Sequence, residues 1–425
     1  MNVSMKKMIY DRLTGRETSL AVIGLGYVGV PVALRFARCF DVVGYDMDAR
    51  RIEKLREKYG AGCGSIRFTS LEEELSRAAF YIVTVLTPVD ERKNPDLTCL
   101  VEATRTVARY LKRGDYVVYE STVYPGCTEE VCVPLLEKGS GLKLGADFKV
   151  GYSPERINPN DSEHTFSNTA KIVSANDGQA LDEVARVYAE VVAADLCRAS
   201  GIRVAEAAKM TENVQRSVNI ALMNELQRLF SRMGIDMGEV IDMASSKWNF
   251  VKYRPGLGGG HCIPVDPLYL VSAASKLGVE MPVTSSGCAV NDGMAAYVVR
   301  SLLGAMGSDG RGARALLMGV TYKENIDDIR NSRIAEMVGL LEREGMSVDV
   351  TDPHADPDKV YAMYGIRPVP ALRPPYDLIV VAVAHDEYRG LDDAYFRSIS
   401  RGAALLGDIR GLYKGRIKSL GYWSL

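Results

Sequence analysis

One segment constrains the fold of this 425-residue chain more than any other. An apolar run from Ser19 leads into the glycine-rich stretch GLGYVG at residues 24–29, and a second apolar run ends at Asp46. This pattern predicts a strand, a tight turn, a helix and a second strand, the opening unit of a dinucleotide-binding sheet. The first glycine permits the turn, the second admits a pyrophosphate, and the third lets the helix approach the strand. A glycine turn with only a structural role is the competing interpretation.

Asp46 indicates which dinucleotide this unit would bind. A carboxylate at the end of the second strand accepts a hydrogen bond from a ribose 2′-hydroxyl and repels a 2′-phosphate. The sequence therefore favours NAD over NADP, although Arg50 and Arg51 follow closely and weaken that preference.

Helical and strand-like runs alternate along most of the chain, which predicts an α/β fold with parallel sheets covered on both faces. We expect two Rossmann-like doubly wound domains joined by a long central helix and a helical segment. The expected boundaries are 1–200 for an NAD-binding domain, 201–305 for a central helical domain, and 306–425 for a smaller domain. The last of these repeats the opening pattern without its glycines, since the run MSVDVTDP also ends a strand at an aspartate, Asp352. Two such halves suggest two ligands that meet in a cleft.

The central helix is predicted from Arg203 to Gly234. At 1.5 Å per residue it would be about 45 Å long. A rod of this kind commonly bridges domains, and its apolar stripe suits a homodimer.

Composition excludes several other classes of protein. The net charge of −2 provides no global field for nucleic acid or an anionic membrane. There is no apolar run of the ~18 residues that a membrane span needs, and the N-terminus lacks a signal-peptide core, so we expect a cytoplasmic protein. The eight cysteines include no CxxC pair and the chain has only four histidines, so no metal site is predicted.

The stretch GLGGGHCIPVDP at residues 256–267 is the least ordinary part of the sequence. Cys262 within it could be a metal ligand, a buried thiol or a nucleophile. The metal interpretation is weak because no cluster of partner ligands is visible. Glycine backbone can lie against a nucleotide and bind phosphate, and a cysteine leaving such a loop would be accessible. No chemical role is predicted for His261.

Four further residues are candidates because of where they fall in the predicted elements. Lys209 and Asn213 are four apart on the central helix and share one face, although a solvated lysine is the ordinary alternative. Thr122 and Glu155 follow the carboxyl ends of predicted strands, where ligands bind in open α/β sheets.

In chain order, GLGYVG, Asp46, EST at 120–122, SPE at 153–155, the Lys-Asn pair and GGHCIPVDP resemble the UDP-glucose/GDP-mannose dehydrogenase family. The resemblance extends from about Ser19 to Arg410. Within the family, SPERINPND followed by SEHT and KIVS is most similar to the branch that acts on UDP-N-acetylhexosamines, UDP-GlcNAc or UDP-GalNAc.

The resemblance implies oxidation of the sugar C6 hydroxymethyl group to a carboxylate with two NAD⁺ per turnover. It also implies a role in polysaccharide biosynthesis. Cys262 would capture the intermediate aldehyde as a thiohemiacetal, which is oxidised to a thioester and hydrolysed. Lys209 and Asn213 would stabilise oxyanions at C6. Asp266 would act as the acid/base group through water with Thr122, and Glu155 would assist hydrolysis.

The resemblance also implies two sets of binding residues. The NAD contacts would be Gly24, Gly26, Tyr27, Val28, Asp46, Arg51, Thr87, Pro88, Thr122 and Arg330. The UDP-sugar contacts would be Glu155, Arg156, Lys209, Asn213, Phe250, Tyr253, Gly256, Lys323 and Arg410.

Two departures from the family pattern stand out. Some relatives carry a second glutamate where this chain has Pro159, so hydrolysis would depend on Glu155 alone. Others carry an arginine before the glycine loop that reaches across the dimer, and either Lys247 or Arg254 could replace it here. Alternative substrates are UDP-glucose and UDP-ManNAc, and the alternative from another class is a non-catalytic regulator that binds NAD and a nucleotide sugar.

Overall fold

The computed structural model describes residues 7–60, 64–156 and 163–425. Pro159 therefore lies outside the described residues. The chain divides into two compact units: a first unit of Met1–Glu212 with Leu268–Val279, and a second unit of Asn213–Pro267 with Glu280–Leu425. Each unit is built around one sheet. Among the described helices, none is long and apolar enough to cross a membrane.

The first sheet has eight strands in the order β3-β2-β1-β4-β5-β6-β7-β8. Its strands are β1 Ser19–Ile23, β2 Val42–Tyr45, β3 Ile66–Thr69, β4 Ala78–Val83, β5 Tyr116–Tyr119, β6 Lys149–Tyr152, β7 Lys171–Ala175 and β8 Leu196–Arg198. All six residues of β4 are buried, as expected for a strand covered on both faces. The strand order reverses between β1 and β4, and ligands bind at such a switch point in open α/β sheets.

One strand pair in this sheet differs from the rest. The strands from β3 to β6 are parallel, but β7 runs antiparallel to β6, with Gly151 opposite Ala175 and Tyr152 opposite Ser174. The first residue of β7, Lys171, therefore lies at the edge where β5 and β6 end.

Six helices accompany this sheet among the described residues. They are α1 Ile9–Thr14, α2 Gly29–Phe36, α3 Ala49–Tyr59, α4 Thr98–Tyr110, α5 Val133–Ser140 and α6 Gly178–Ala189, with a 3₁₀ segment at Glu72–Arg77 and a π turn at Thr128–Cys132. The long helix α7, Ile202–Arg232, begins in the first unit and continues into the second, and its extent confirms the predicted central helix.

The second sheet has five parallel strands in the order β10-β9-β11-β12-β13. They are β9 Arg314–Met318, β10 Ser347–Thr351, β11 Tyr376–Val381, β12 Ser400–Asp408 and β13 Gly421–Ser424. The remaining helices are α8 Met237–Ala244, α9 Cys262–Lys276, α10 Pro282–Asp292, α11 Met294–Met306, α12 Arg333–Arg343, α13 Pro357–Tyr364, α14 Asp386–Arg389 and α15 Asp393–Ser398. Two parallel-rich sheets with helices confirm the predicted doubly wound α/β class.

The opening turn of the second sheet repeats the geometry of the first. Gly319 follows β9 with a φ of +97°, and its N–H donates to the Thr351 carbonyl at 2.7 Å. Asp352, at the end of β10, accepts from the N–H groups of Val320 and Thr321 at 2.6 and 3.1 Å. Asp352 thus occupies the position in this sheet that Asp46 has in the first, as the sequence pattern predicts.

Candidate active site

The glycine turn after β1 is shaped by close backbone packing. Gly24 has a φ of +92°, a left-handed conformation that favours glycine, and its N–H donates to the Tyr45 carbonyl at 2.9 Å. A Cβ on Gly24 would lie 2.8 Å from Cγ1 of Val85. The turn therefore needs glycine here both for its conformation and for the space.

Gly29 and Gly26 serve different purposes within this turn. A Cβ on Gly29 would lie 1.9 Å from the Gly24 carbonyl oxygen and 2.6 Å from Oγ1 of Thr84, so only glycine lets α2 begin this close to the strand. A Cβ on Gly26 would have its nearest neighbour, Nη1 of Arg51, at 4.0 Å. Gly26 thus leaves its side of the turn open at the start of α2, where backbone N–H groups bind a pyrophosphate.

Asp46 is buried at the end of β2, and three donors hold its carboxylate. The N–H groups of Leu25 and Asp48 donate to it at 2.9 and 3.0 Å, and Nη1 of Arg51 donates at 3.2 Å. This places a carboxylate beside the glycine turn, where the ribose hydroxyls of NAD would be recognised. Arg51 pairs with that carboxylate, which is compatible with a preference for NAD.

The other predicted cofactor contacts in the first unit follow β1 and β4, which flank the switch point. Tyr27 is exposed and Val28 half-buried on the glycine turn. After β4, Thr87 is buried, and the Pro88 carbonyl accepts from the Tyr269 hydroxyl at 2.8 Å. Thr84, which sequence reasoning missed, donates from Oγ1 to the Gly24 carbonyl at 2.8 Å and so fixes the turn.

Lys209 and Glu155 meet in the first unit. Lys209 is buried on α7, and its Nζ donates to the Glu155 backbone carbonyl at 2.5 Å. Thr122 is half-buried just after β5, and the neighbouring Ser121 donates from Oγ to the Val85 carbonyl at 2.7 Å. The structure therefore places three predicted catalytic residues, Thr122, Glu155 and Lys209, in one unit and joins two of them directly.

Two charged side chains flank this group. Arg156, predicted to contact substrate, pairs through Nε with Glu212 at 2.5 Å. Glu206, one turn before Lys209, accepts from the N–H groups of Gly126 and Thr128 at 2.6 and 2.9 Å. Burial raises the pKa of Glu206. Its carboxylate ties the loop that follows Thr122 to the helix that carries Lys209.

In the second unit, Asp266 and Asn213 form a buried pair. Asn213 Nδ2 donates to Asp266 Oδ2, and Asn213 Oδ1 accepts from Nη1 of Arg216 at 3.0 Å. The arginine therefore orients the amide so that its donor points at the carboxylate. Asp266 is four residues after Cys262 on α9, so the two share a face of that helix.

Cys262 is half-buried and is the first residue of α9. The positive end of a helix dipole favours negative charge at this position. Pro267 lies inside the helix and has no N–H to donate to the carbonyl four residues earlier, that of Ile263. That carbonyl accepts instead from Oγ of Ser217 at 3.2 Å, which fixes the first turn of α9 against α7.

The glycines before Cys262 are explained first by packing. A Cβ on Gly259 would lie 2.8 Å from Cβ of Tyr322, and one on Gly260, whose φ is +82°, would lie 2.7 Å from the Tyr322 ring. The Gly260 N–H also donates to the Arg330 carbonyl at 3.2 Å, and Asn331 Nδ2 donates to the Gly260 carbonyl at 2.9 Å. Burial, with smaller contributions from Asp328 and Cys262, raises the pKa of Tyr322 to about 12. The loop therefore lies directly against the segment that follows β9.

The predicted UDP-sugar contacts of the second unit divide into two groups. Gly256 lies near Arg410, since a Cβ on the glycine would be 3.7 Å from Nη1 of that arginine, and Lys323 is half-buried in the segment after β9. Phe250 and Tyr253 instead pack, partly buried, against an apolar cluster of Met223, Met237 and Ile241. Arg330, predicted to contact NAD, pairs with Asp328 at 2.6 Å.

Sequence reasoning missed most of the polar face of α7. Six polar residues of this helix are buried and follow one another at intervals of three, four, four, seven and three residues: Glu206, Lys209, Asn213, Ser217, Asn224 and Gln227. Residues at this spacing share one helical face. The spacing was visible in the sequence, and extending the Lys209–Asn213 pair in both directions would have found the other four.

The glycine turn, its open side and the buried Asp46 together define an NAD-dependent oxidoreductase. The chain belongs to the UDP-glucose/GDP-mannose dehydrogenase family: the NAD binding domain of that family matches residues 18–192, its central domain 203–293, and its UDP binding domain 316–415. The predicted family, NAD cofactor and enzyme class are thereby confirmed, and the chain is an NAD-dependent dehydrogenase of a UDP-sugar.

Individual relatives are similar along nearly the whole chain. The sequence is 44% identical over 411 residues to UDP-N-acetyl-D-glucosamine 6-dehydrogenase of Pseudomonas aeruginosa, covering 93% of this chain and 97% of the relative. It is 43% identical to the protein of the same name from Salmonella typhi, covering 93% and 96%. A solved structure of UDP-D-ManNAc dehydrogenase from Pyrococcus horikoshii matches with a TM-score of 0.86 at 28% identity, covering 95% of this chain and 98% of that one.

Proposed function

We propose that this enzyme oxidises the C6 hydroxymethyl group of a UDP-N-acetylhexosamine to the carboxylate, with UDP-N-acetylglucosamine as its preferred substrate. The overall change consumes two NAD⁺ and one water and yields a UDP-uronic acid, two NADH and protons. Support for the sugar comes from the two relatives named for UDP-N-acetyl-D-glucosamine, which are 44% and 43% identical to this chain. The solved structure named for UDP-D-ManNAc is 28% identical.

The first unit has the residues to hold the cofactor. Bound NAD⁺ supplies the hydride acceptor for both oxidations. The open side of Gly26 and the N-terminus of α2 would receive the pyrophosphate, and Asp46 would accept from the adenosine ribose hydroxyls. Tyr27, Val28, Arg51, Thr87, Pro88, Thr122 and Arg330 remain proposed further contacts.

The covalent steps would take place on Cys262. Its sulfur would add to the C6 aldehyde left by the first oxidation, and a proton would move to the carbonyl oxygen to give a thiohemiacetal. That intermediate retains a hydride on C6, so the second oxidation can convert it to a thioester. Lys209 and Asn213 would stabilise negative charge on the C6 oxygen during these steps.

Hydrolysis would then release the product. Water would attack the thioester carbon, the C–S bond would break, and Cys262 would leave as the thiolate. Glu155 would take the proton of the attacking water, while Asp266, with Thr122 through water, would exchange protons at C6. The observation that carries this assignment is the buried Asp266, which pairs with Asn213 of α7 and shares one face of α9 with Cys262.

The second unit would bind the nucleotide part of the substrate. Lys323, Arg410 and the backbone at Gly256 would hold the diphosphate, and Phe250 and Tyr253 would line the approach to it. We also propose a homodimer formed along α7, and a functional division at residues 200 and 305 into NAD-binding, central and UDP-binding regions.

A release assay for NADH tests the substrate. We expect the highest kcat/KM with UDP-GlcNAc among UDP-GlcNAc, UDP-GalNAc, UDP-ManNAc and UDP-glucose. A clear preference for UDP-glucose or UDP-ManNAc would overturn the sugar assignment. No NADH with any of the four would favour a non-catalytic regulator.

Loss of the thiol tests the covalent mechanism. Cys262→Ser should lose uronate formation, and the matched control Cys288→Ser, which alters another half-buried thiol of the second unit, should keep it. Uronate production by Cys262→Ser at the wild-type rate would exclude a covalent intermediate on this residue.

A further inference from the structure

The antiparallel direction of β7 brings a lysine to the edge of the first sheet where catalytic residues follow the strands. Lys171 is the first residue of β7, and because β7 opposes β6 it lies beside the segment 153–155 that follows β6. In the sequence, Lys171 begins the run KIVS, which contributes to the resemblance to the UDP-N-acetylhexosamine branch. The proposed mechanism gives this lysine no role.

Lys171 is buried in a network that includes Glu120. Its Nζ lies 3.2 Å from Oε2 of Glu120, and the relative exposure of the two side chains is 5% and 0%. The other carboxylate oxygen, Oε1, accepts from the Tyr188 hydroxyl at 2.5 Å. The ammonium group also lies 4.9 and 5.3 Å from the ring centroids of Phe166 and Tyr188. Burial raises the pKa of Glu120 even though Lys171 acts against it.

The same ammonium group holds the backbone next to Glu155. Lys171 Nζ donates to the Pro154 carbonyl at 3.3 Å. Ser153, one residue earlier, donates from its N–H to Tyr119 and from Oγ to Ile172, at 2.9 and 2.7 Å. One residue later, the Glu155 carbonyl accepts from Lys209. The segment 153–155 is thus held by hydrogen bonds to β5, β7 and α7.

A buried ion pair is a poor source of stability, because the cost of desolvating two charges offsets most of their attraction. An apolar pair of similar volume would hold β5 to β7 about as well. The feature that an apolar pair could not reproduce is the donor directed at the Pro154 carbonyl. The Glu120–Lys171 pair therefore contributes to the geometry of this segment more than to its stability.

We propose that the Glu120–Lys171 pair positions Glu155 for hydrolysis of the thioester. Glu120 holds the Lys171 ammonium in place, the ammonium fixes the peptide between Pro154 and Glu155, and that peptide sets the direction of the Glu155 side chain. Lys171 and Glu120 are positioning residues and touch neither substrate nor cofactor in this role. The role rests on the proposed function, since it concerns only the step in which water attacks the thioester carbon and the C–S bond breaks.

The experiment compares Lys171→Met with a matched control, Lys149→Met. Lys149 is on β6 in the same sheet, and its Nζ also bonds a carboxylate and a carbonyl, those of Asp177 and Gly145, both at 2.7 Å. It lies at the opposite end of β6, away from the segment 153–155. Each variant is mixed with UDP-GlcNAc and NAD⁺. Steady-state kcat and KM, the mass of the intact protein and the thermal midpoint are then measured.

We expect Lys171→Met to lower kcat by about 10-fold or more and to lower KM in the same proportion, because slowing only the hydrolysis step leaves kcat/KM unchanged. The mass of the protein should increase by one UDP-N-acetylglucosaminuronyl group on Cys262, because oxidation continues while hydrolysis is slow. Lys171→Arg, which keeps the charge, should recover much of the loss, and Lys149→Met should behave as wild type. If Lys171→Met does not fold, Tyr188→Phe replaces it, with the same adduct expected in smaller amount.

Glu155→Gln separates failure of this inference from failure of the proposed function. Accumulation of the adduct in Glu155→Gln but not in Lys171→Met or Tyr188→Phe would overturn the positioning role alone. Absence of the adduct in Glu155→Gln as well would overturn both the positioning role and the proposed role of Glu155 in hydrolysis. A lower thermal midpoint of Lys171→Met with unchanged kcat would show a purely structural pair and overturn the inference.

Discussion

Asn224 on α7 pairs with the backbone of Gly256 through two hydrogen bonds. Its Oδ1 accepts from the Gly256 N–H at 2.8 Å, and its Nδ2 donates to the Gly256 carbonyl at 3.2 Å. The same Nδ2 reaches Oδ1 of Asn291 at 2.9 Å, and Asn291 in turn donates to the Ser217 carbonyl at 3.0 Å. A buried amide network therefore fixes the start of the glycine loop relative to the helix that carries Asn213.

We predict that Asn224→Ala raises KM for the nucleotide sugar by about 10-fold, since loss of a buried hydrogen-bond partner costs about 1–3 kcal/mol. NAD affinity should be unchanged, because the glycine turn at residues 24–29 belongs to the first unit, whereas Asn224 and Gly256 belong to the second. Asn219→Ala is the matched control: Asn219 lies on the same helix, and its Nδ2 donates to the Gln215 carbonyl at 2.9 Å. Kinetics with UDP-GlcNAc and NAD titration measure both effects. Equal KM values for the two variants would contradict this role for Asn224.

The two glycines of the cofactor turn should respond differently to alanine. Gly29→Ala forces a Cβ against the Gly24 carbonyl, so it should lower the thermal midpoint as well as NAD affinity. Gly26→Ala has room for its Cβ and should keep the thermal midpoint while weakening NAD binding by about 10-fold, because the methyl group would face the proposed site of the pyrophosphate. Gly178→Ala, with no atom within 4 Å of the added Cβ, serves as the control. A Gly26→Ala variant with wild-type NAD affinity would place the pyrophosphate elsewhere.

Asp46 should determine the choice between NAD and NADP. Asp46→Asn removes the charge that would repel a 2′-phosphate and releases Arg51 from its ion pair. We expect NAD affinity to fall by about 10-fold. The ratio of NAD activity to NADP activity should fall by more than this factor, because NADP binding improves at the same time. In Asp46→Asn/Arg51→Ala, NADP activity should drop again, because no cation remains beside the 2′-phosphate. An unchanged ratio in Asp46→Asn would show that this carboxylate does not select the cofactor.

The sequence allowed both sheets and the cofactor turn to be predicted because their signals are local. A glycine fingerprint between two apolar runs depends on nothing outside about 30 residues. Asp352 was recognised for the same reason, since it ends its strand as Asp46 does. The helix that carries Lys209 was visible from its length and from its polar pair.

The rest depends on contacts between residues far apart in the chain. The short apolar run of β7 predicts a strand but not its direction, so the approach of Lys171 to Pro154 could not be foreseen. Similarly, the glycines before Cys262 were interpreted as a cradle for phosphate, whereas Gly259 and Gly260 are also needed for packing against Tyr322. A glycine run indicates that another group packs closely against the backbone, but it does not show whether that group is a ligand or a side chain of the protein.

Because of Asp352, the stability of the second unit should depend on pH in the acid range. Burial opposes ionisation of Asp352, but hydrogen bonds from His385 and from backbone N–H groups outweigh it and lower the pKa of Asp352 from 3.8 to about 2. His385 is fully buried, and its Nδ1 accepts from the Asn325 N–H at 2.9 Å, so Nε2 carries the hydrogen that faces Asp352 at 3.2 Å.

Because the pKa is lower in the folded state, this carboxylate stabilises the fold at pH values above 3.8, and the stabilisation is lost as the pH falls towards 2. We predict that Asp352→Asn lowers the free energy of unfolding by about 2 kcal/mol at pH 7 and by much less near pH 2. Both tryptophans lie in the second unit, and Trp423 packs on its core, so denaturant titration followed by tryptophan fluorescence in a Trp248→Phe background measures this effect. Asp327→Asn, at a side chain that is 75% exposed, is the control and should show no such pH dependence. A destabilisation by Asp352→Asn that is the same at both pH values would mean that the ionised carboxylate is not what holds this turn.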